Sequence, residues 1–306
     1  MSQSLLQKIP VHLRQELKEE DLNGVEEIRL RTGWPMELYY GTQNIRLIGR
    51  VCGADVMEML NYLTGYSLYA YEEQFKQGFF TIEGGHRVGL VGHTTIEQPS
   101  GAARTEIVCL KDISGINIRI ARQKKDISLW MIPYIRTQDS IHNTLFVASP
   151  GVGKTTYLRD CIRILSSGED QKAPLKISVV DERSELAASH LGMAQNDLGL
   201  RTDVMDNCPK LRGMEMVLRS MSPQIVAVDE LGGEEELVML GKILNSGSRI
   251  LGTMHAGSLE ELGRKAGMKN IMKQKLIGRY VMLEKKKNKD RYATIYDEKL
   301  CPICSN

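Results

Sequence analysis

Residues 144–156 constrain the fold of this chain more than any other stretch. They read Thr-Leu-Phe-Val-Ala-Ser-Pro-Gly-Val-Gly-Lys-Thr-Thr. A short β-prone run leads into a glycine-rich turn, and the turn ends in Gly-Lys-Thr where a helical pattern begins. Such a turn lets backbone N–H groups point at a polyphosphate, and the helix N-terminus adds partial positive charge at the same place. The sequence therefore predicts a phosphate-binding P-loop between a strand and a helix.

The P-loop motif assigns roles to particular side chains. Lys154 can reach the β- and γ-phosphates of ATP, and the Thr155 hydroxyl can ligate Mg²⁺. Ala148 stands where the motif has its first glycine, but a small residue still fits there. Apolar residues at helical spacing and Ser-Ser-Gly at 166–168 predict the helix that follows the loop. The nucleotide-binding candidates are Ala148, Ser149, Pro150, Gly151, Val152, Gly153, Lys154, Thr155 and Thr156.

Length and charge narrow the class of protein. The chain has 306 residues, enough for about two domains. Forty basic residues against 38 acidic ones leave a net charge of +2, which gives no argument for nucleic acid as a partner. No apolar run approaches the ~18 residues of a membrane span, and the N-terminus lacks the pattern of a secretion signal. We therefore expect a cytoplasmic protein, which leaves attachment to a membrane through a partner open.

The six cysteines are scattered, and Cys301 and Cys304 form a lone C-x-x-C near the end of the chain. A zinc site needs two further ligands, and no second pair lies nearby. The sequence favours a tail with two free thiols over a metal or redox site.

The two halves of the chain have different patterns. The first 120 residues predict a mixed α+β region, with strands at 25–31 and 116–120, a helix at 54–63 and a Gly-Gly hairpin at 79–91. The second half alternates strands and helices, which predicts a mostly parallel sheet covered on both faces. We expect an N-terminal α+β domain over residues 1–125, a linker over 126–140, and an ATPase domain over 141–306. This last domain ends in a β-hairpin with a basic turn at 285–289.

A buried-type strand at 224–228 ends in two carboxylates, Asp229 and Glu230. The carboxyl ends of parallel strands meet at the ligand in α/β sheets. Asp229 can hold the Mg²⁺ shell, and Glu230 can orient or polarise the attacking water. The pair therefore predicts hydrolysis rather than binding alone.

Two other predicted strands end in polar residues. The strand at 176–180 ends in Asp181 and Glu182, with Glu185 close behind. These acids could lie near the metal or its water, or could cap a neighbouring helix. The strand at 249–253 is followed by His255, and Thr253 and His255 could sense the γ-phosphate. A single histidine is also compatible with a structural role.

Together these segments resemble the type II/IV secretion ATPases, the hexameric motors of secretion systems and pili. The resemblance is carried by the P-loop, the acid-tipped strand at 181–185, residues 218–224 running into Asp229 and Glu230, and the His box at 252–256. It implies an α/β fold with a RecA-like P-loop core and a smaller N-terminal α+β domain. It also implies a homo-oligomeric ring, a hexamer, that hydrolyses ATP with Mg²⁺ at its subunit interfaces.

The same resemblance bears on the catalytic residues. Arginines of the N-terminal domain complete the site in that superfamily, which makes Arg87, Arg119 and, third, Arg122 candidates here. Many secretion ATPases have glycine where this chain has Asp229. Glu182 or Glu185 could therefore share the role of the water-activating acid with Glu230.

A closer resemblance, to one sporulation member of the superfamily, is carried by residues 199–210, 219–223 and 229–232. It implies a protein of the mother-cell cytoplasm, peripheral at the membrane through a membrane protein of a channel complex that leads into the forespore. Two alternatives stay open: a RecA-like motor acting on nucleic acid, and an ATP-dependent assembly switch that does not hydrolyse. Near-neutral charge argues against the first, so no nucleic-acid partner is expected, and the Asp229–Glu230 pair argues against the second.

Overall fold

The structure, a computed structural model, describes residues 3–18, 21, 23–41, 44–76, 78–97, 106–285 and 291–306. The chain divides into two compact units, residues 1–122 and 123–306. Residues 126–140, expected from the sequence to form a linker, instead belong to the second unit. Met131, Ile132 and Ile135 are at most 2% exposed there. Because these apolar side chains pack into its core, the segment is part of the second unit rather than a free connection.

The first unit is an antiparallel sheet with helices. Its strands are β1 (Glu27–Arg31), β2 (Pro35–Tyr39), β3 (Ile45–Arg50), β4 (Phe79–Ile82), β5 (His86–Glu97) and β6 (Glu106–Arg119). Its helices are α1 (Gln3–Gln7), α2 (Val11–Gln15), α3 (Gly53–Leu63) and α4 (Glu72–Lys76), with a 3₁₀ helix at Leu68–Tyr71. The strand order is β3-β2-β1-β6-β5-β4.

Apolar and charged residues alternate along β1, and this alternation decides which face of the sheet is buried. Ile28 and Leu30 are fully buried in the core, while Arg29 and Arg31 point to the other face. The predicted hairpin forms between β4 and β5, and its turn glycines have positive φ angles, 85° at Gly84. Strands β2 and β3 were not predicted.

The second unit alternates strands and helices. Its strands are β7 (Thr144–Ala148), β8 (Ile177–Asp181), β9 (Thr202–Asp206), β10 (Ile225–Val228), β11 (Arg249–His255), β12 (Arg279–Lys285), β13 (Arg291–Tyr296) and β14 (Pro302–Ser305). Its helices are α5 (Ile132–Ile135), α6 (Lys154–Ser167), α7 (Lys210–Ser220), α8 (Glu234–Asn245), α9 (Leu259–Arg264) and α10 (Met268–Lys273), with a 3₁₀ helix at Leu129–Met131.

The eight strands form one sheet in the order β14-β13-β12-β7-β11-β10-β8-β9. The strands from β12 to β9 run parallel, and β13 and β14 add an antiparallel edge. Successive residues of β7 enter two different cores: Phe146 packs with α6 on one face, and Val147 packs with α7 and α8 on the other. Helices on both faces explain why β7, β8 and β10 are buried along their whole length.

Local signals for helix ends are confirmed. Helix α6 ends at Ser167, before Gly168 with a φ of 70°. Ser258 caps α9, since its Oγ accepts a hydrogen bond from the Glu261 N–H. The predicted terminal hairpin is formed by β12 and β13, and residues 286–290 of its basic turn lie outside the described residues. Within the described parts of the chain, every helix is too short or too polar to span a bilayer.

Candidate functional site

The P-loop lies between β7 and α6, where the sequence predicts it. Gly151 and Gly153 have φ angles of 75° and 115°, which residues with a Cβ atom rarely adopt. The Lys154 ammonium is turned back into the loop and donates hydrogen bonds to the carbonyl oxygens of Ala148 (2.9 Å) and Ser149 (3.2 Å). Burial lowers the pKa of Lys154, and the charges of Asp229 and Glu230 oppose that shift.

The P-loop threonine is joined to the neighbouring strand ends. The Thr155 hydroxyl donates to Asp229 Oδ2 at 2.7 Å. The Thr253 hydroxyl, on β11, donates to the other oxygen of Asp229 and accepts from the Glu230 N–H at 2.9 Å. Three chain segments that are far apart in sequence therefore meet at one carboxylate, because parallel strands end at the same edge of the sheet.

His255 connects the P-loop lysine to Glu230. Lys154 Nζ lies 2.9 Å from His255 Nδ1, and His255 Nε2 lies 2.9 Å from Glu230 Oε1. An ammonium can only donate, so Nδ1 accepts and the ring proton is on Nε2, which donates to Glu230. The structure thus brings together Lys154, His255 and Glu230 in one hydrogen-bonded chain.

The backbone at Glu230 is in the left-handed region, with a φ of 53°. Non-glycine residues adopt this conformation at a cost, and such residues are found preferentially at functional sites. The second carboxylate oxygen of Glu230 pairs with Arg183 Nη1 at 2.9 Å. The hydrogen bond from His255, helped by the Arg183 charge, lowers the pKa of Glu230 despite partial burial. The carboxylate therefore stays ionised at neutral pH.

The acids at the end of β8 have separate environments. Asp181 is 1% exposed, and its carboxylate accepts hydrogen bonds from the N–H groups of Glu185, Leu186 and Ala187 at 2.7–2.9 Å. Burial raises its pKa to about 6 although these hydrogen bonds act in the opposite direction. Asp181 thus holds the loop that follows β8. The Glu182 side chain is 43% exposed and lies 3.8 Å from Lys210 Nζ.

Sequence reasoning did not select two cations of this site. Arg183 and Lys210 line the same cleft as Asp229 and Glu230. Lys210 Nζ donates to the Glu230 carbonyl oxygen at 2.6 Å. Lys210 lies directly after Cys-Pro in a segment used for the resemblance, and Arg183 directly follows Glu182. Arg183 follows the predicted strand β8, which was the signal available in the sequence for it, whereas Lys210 follows β9, a strand that the sequence does not predict.

The two catalytic arginine candidates are neighbours in the first unit. Arg119 of β6 and Arg87 of β5 face each other across the strand pair, and Glu27 of β1 is opposite Arg119 on the other side. Arg87 lies over the Phe79 ring at 4.3 Å, and the Arg119 side chain is 67% exposed. The third candidate, Arg122, donates to the Val25 carbonyl oxygen at 2.9 Å.

The donor set beside the P-loop fits a phosphate and Mg²⁺. Two glycines in the left-handed region allow the loop to curve around a polyphosphate. The buried Lys154 ammonium and the free N–H groups in the first turn of α6 supply the positive charge that binds it. The Thr155 hydroxyl and the Asp229 carboxylate are oxygen ligands, the type that Mg²⁺ prefers. Few protein ligands suffice, since Mg²⁺ usually keeps waters and phosphate oxygens.

Comparison of the whole sequence with known proteins identifies relatives. The model of the family described as "Sporulation stage III, protein AA" matches residues 2–302. Stage III sporulation protein AA of Bacillus subtilis (strain 168) is 38% identical over 283 residues, covering 92% of this chain and 90% of that protein. The uncharacterized protein ycf45 of Cyanidium caldarium is 29% identical and covers 52% of this chain and 47% of its own length.

Solved structures with a similar fold include an ATPase and a pilus retraction motor. The Legionella pneumophila ATPase DotB has a TM-score of 0.53 at 15% identity, over 90% of this chain and 77% of its own. The pilus retraction motor PilT, solved with bound ADP, has a TM-score of 0.54 at 11% identity, over 89% and 78%. At these identities the likeness shows the fold, and it confirms the RecA-like P-loop core expected from the sequence.

Proposed function

The chain belongs to the sporulation stage III protein AA family, and from this premise we propose that it is an ATPase of a secretion-type motor. It hydrolyses ATP with Mg²⁺ at the subunit interfaces of a hexameric ring. Residues 123–306 are the ATPase domain, and residues 1–122 supply arginines to the interface.

One observation carries this proposal: the P-loop and the acid pair form a single hydrogen-bonded network. Thr155 binds Asp229, and Lys154 reaches Glu230 through His255. A loop that merely matched the motif would have no reason to lie within hydrogen-bond distance of these groups. The network holds both the groups that bind phosphate and metal and the carboxylate that contacts water.

Each side chain has a distinct task in hydrolysis. The P-loop N–H groups and Lys154 bind the phosphates. To do so, the Lys154 ammonium gives up its hydrogen bonds to the carbonyl oxygens of Ala148 and Ser149. Thr155 and Asp229 would hold Mg²⁺, and the ion would neutralise negative charge on the phosphate oxygens. Glu230, ionised because its pKa is lowered, accepts a hydrogen bond from the attacking water and orients it. His255 and Arg183 orient that carboxylate from its two sides.

The paired arginines support a shared site between subunits. Arg87 and Arg119 are directly opposite on adjacent strands, so two guanidinium groups occupy one part of a sheet face. Positive charge supplied by a neighbouring subunit stabilises the transferring phosphoryl group in many P-loop enzymes. We assign this role to Arg119 and Arg87, with Glu182 as an acid that assists Glu230.

Membership of the family supports a proposal for the biological setting. The protein acts in the mother-cell cytoplasm during endospore formation, bound to a membrane protein of a channel complex that it energises. A motor acting on nucleic acid is less well supported, because the net charge is only +2.

The test is ATP turnover by the purified full chain at rising protein concentration, with Lys154→Ala and Glu230→Gln as matched variants. We expect specific activity to rise with concentration as rings form. Lys154→Ala should lose nucleotide binding together with turnover, whereas Glu230→Gln should bind ATP and fail to hydrolyse it. Wild-type protein that binds ATP with no turnover at any concentration, alone or with membranes of sporulating cells, would instead indicate a non-hydrolysing switch.

A further inference from the structure

Lys210, the first residue of helix α7, is a charged side chain in a buried position. Its side chain is only 9% exposed. Lysine is rarely buried unless its ammonium is paired. Here the shortest contact of the ammonium is to a main-chain atom, the Glu230 carbonyl oxygen at 2.6 Å. Carboxylate oxygens of Glu236 and Glu182 lie farther away, at 3.4 and 3.8 Å.

That carbonyl belongs to the peptide that sets the conformation of Glu230. The N–H of the same peptide, on Leu231, donates to the Thr253 carbonyl oxygen at 2.8 Å. The peptide between Glu230 and Leu231 is therefore held from both ends, by β11 and by Lys210. On its N-terminal side, the Glu230 N–H is bound by the Thr253 hydroxyl.

These contacts account for the left-handed backbone of Glu230. A glutamate with a φ of 53° is strained and persists only where its surroundings hold it. Without the ammonium, the Glu230 carbonyl oxygen would lose its charged partner. Rotation about the N–Cα bond of Glu230, which moves that carbonyl group, would then relieve the strain. The side chain would then leave the position in which Oε1 meets His255 and Oε2 meets Arg183.

We propose that Lys210 is a positioning residue, whose ammonium clamps the main chain of Glu230 so that its carboxylate is presented to water beside the P-loop. The effect on turnover rests on the hydrolysis proposed above, while the effect on the backbone does not. The contacts of Lys210 are with Glu230, Glu236 and Glu182 and not with the groups that bind phosphate. Its loss should therefore affect the chemical step and spare nucleotide binding.

The experiment compares Lys210→Met with Lys242→Met in the full-length protein. Methionine keeps the apolar stem of lysine and removes the ammonium. Lys242 of α8 is the matched control, since it is 62% exposed and its ammonium lies 3.6 Å from a carboxylate oxygen of Glu215. Three quantities are measured for each protein: kcat and KM for ATP, the Kd for ADP, and deuterium uptake by peptides that contain Leu231.

For Lys210→Met we expect kcat to fall at least tenfold while the KM and the ADP Kd change less than twofold. The Leu231 amide should exchange faster, with unchanged exchange in β10. Lys242→Met should match the wild type in all three. Because an unpaired Glu236 could destabilise the variant, Lys210→Met/Glu236→Gln is prepared as well, and it should regain thermal stability without regaining turnover.

An unchanged kcat with unchanged exchange at Leu231 would overturn the proposal. Equal losses of kcat and nucleotide affinity would also overturn it, because they would indicate general disruption of the site. If the wild type shows no turnover, the proposed hydrolysis is wrong. The deuterium exchange data still test whether Lys210 holds the main chain of Glu230. Faster exchange at Leu231 alone supports it, and identical exchange refutes it.

Discussion

The Thr253 hydroxyl links the two acids of the site, which makes Thr253→Val the sharpest test of the hydrogen-bond network. This side chain is fully buried. It donates to the Asp229 carboxylate and accepts from the Glu230 N–H. Valine has nearly the same shape as threonine but can make neither bond.

The cost can be worked out from these two contacts. A hydrogen bond to a charged group contributes about 1.5–3 kcal/mol and a neutral one about 0.5–1.5 kcal/mol, so the variant should lose about 2–4.5 kcal/mol. For a domain of this size each kcal/mol lowers the melting temperature by about 2–4 °C, which gives a fall of about 4–18 °C. Thr253→Ser keeps the hydroxyl and loses one methyl group, for a cost of about 1 kcal/mol.

The assay is thermal unfolding combined with ATP turnover for both Thr253 variants and a control, Ser178→Ala. Ser178 is also buried in the parallel sheet, but its hydroxyl has no hydrogen-bond partner among the described residues. We expect Ser178→Ala to be nearly neutral. Thr253→Val should be the least stable of the three and should lose turnover at least tenfold.

Which of the two Thr253 variants is less stable shows whether the hydroxyl or the packing of the side chain matters more. If packing alone mattered, valine would be harmless and serine harmful. A Thr253→Val protein as stable and as active as the wild type would refute the reasoning that this hydroxyl anchors Asp229 and Glu230.

Two other predictions concern residues outside that network. Burial raises the pKa of Asp181 to about 6 from 3.8, so the folded state binds this proton more tightly than the unfolded chain does. Its contribution to stability is full below pH ~4 and is lost as the pH rises through ~6, by no more than about 3 kcal/mol. Denaturant titrations at pH 5 and pH 7 should show this loss in the wild type and not in Asp181→Asn, and equal pH dependence would contradict it. If Arg119 acts across the ring interface, mixing Arg119→Ala with Lys154→Ala should restore turnover that neither has alone, whereas mixtures that stay inactive would argue against action in trans.

The elements that the sequence predicts best are those whose chemistry is local. The P-loop, the ends of β8, β10 and β11, and the Ser258 cap each depend on residue types at short spacing. The mostly parallel sheet follows from alternating strands and helices. Strands β2, β3 and β9 were not predicted, and neither was β14. Strands β3, β9 and β14 are edge strands with exposed positions, which weakens the apolar pattern, whereas β2 lies next to an edge and alternates half-buried and buried residues.

The sequence predicts the site residues that belong to recognisable motifs, but not those whose role depends on contacts in the fold. Asp229 and Glu230 follow from an apolar strand that ends in acids. The role of Lys210 depends on a contact across 20 positions of the chain, with a carbonyl oxygen that has no sequence signature. For Asp181, the sequence left a metal-associated and a capping role open. The structure gives it three main-chain N–H partners, which favours the structural role.

The place of β7 in its sheet has a consequence for how the protein is made. The P-loop strand has β11 and β12 as its two neighbours, and both come late in the chain. During synthesis, β7 leaves the ribosome about 100 residues before β11 and about 130 before β12, so its pairing must wait for distant segments. A growing chain therefore carries an unpaired apolar strand for seconds. The proposed nucleotide site would be complete only after β11, which carries Thr253 and His255, has been made.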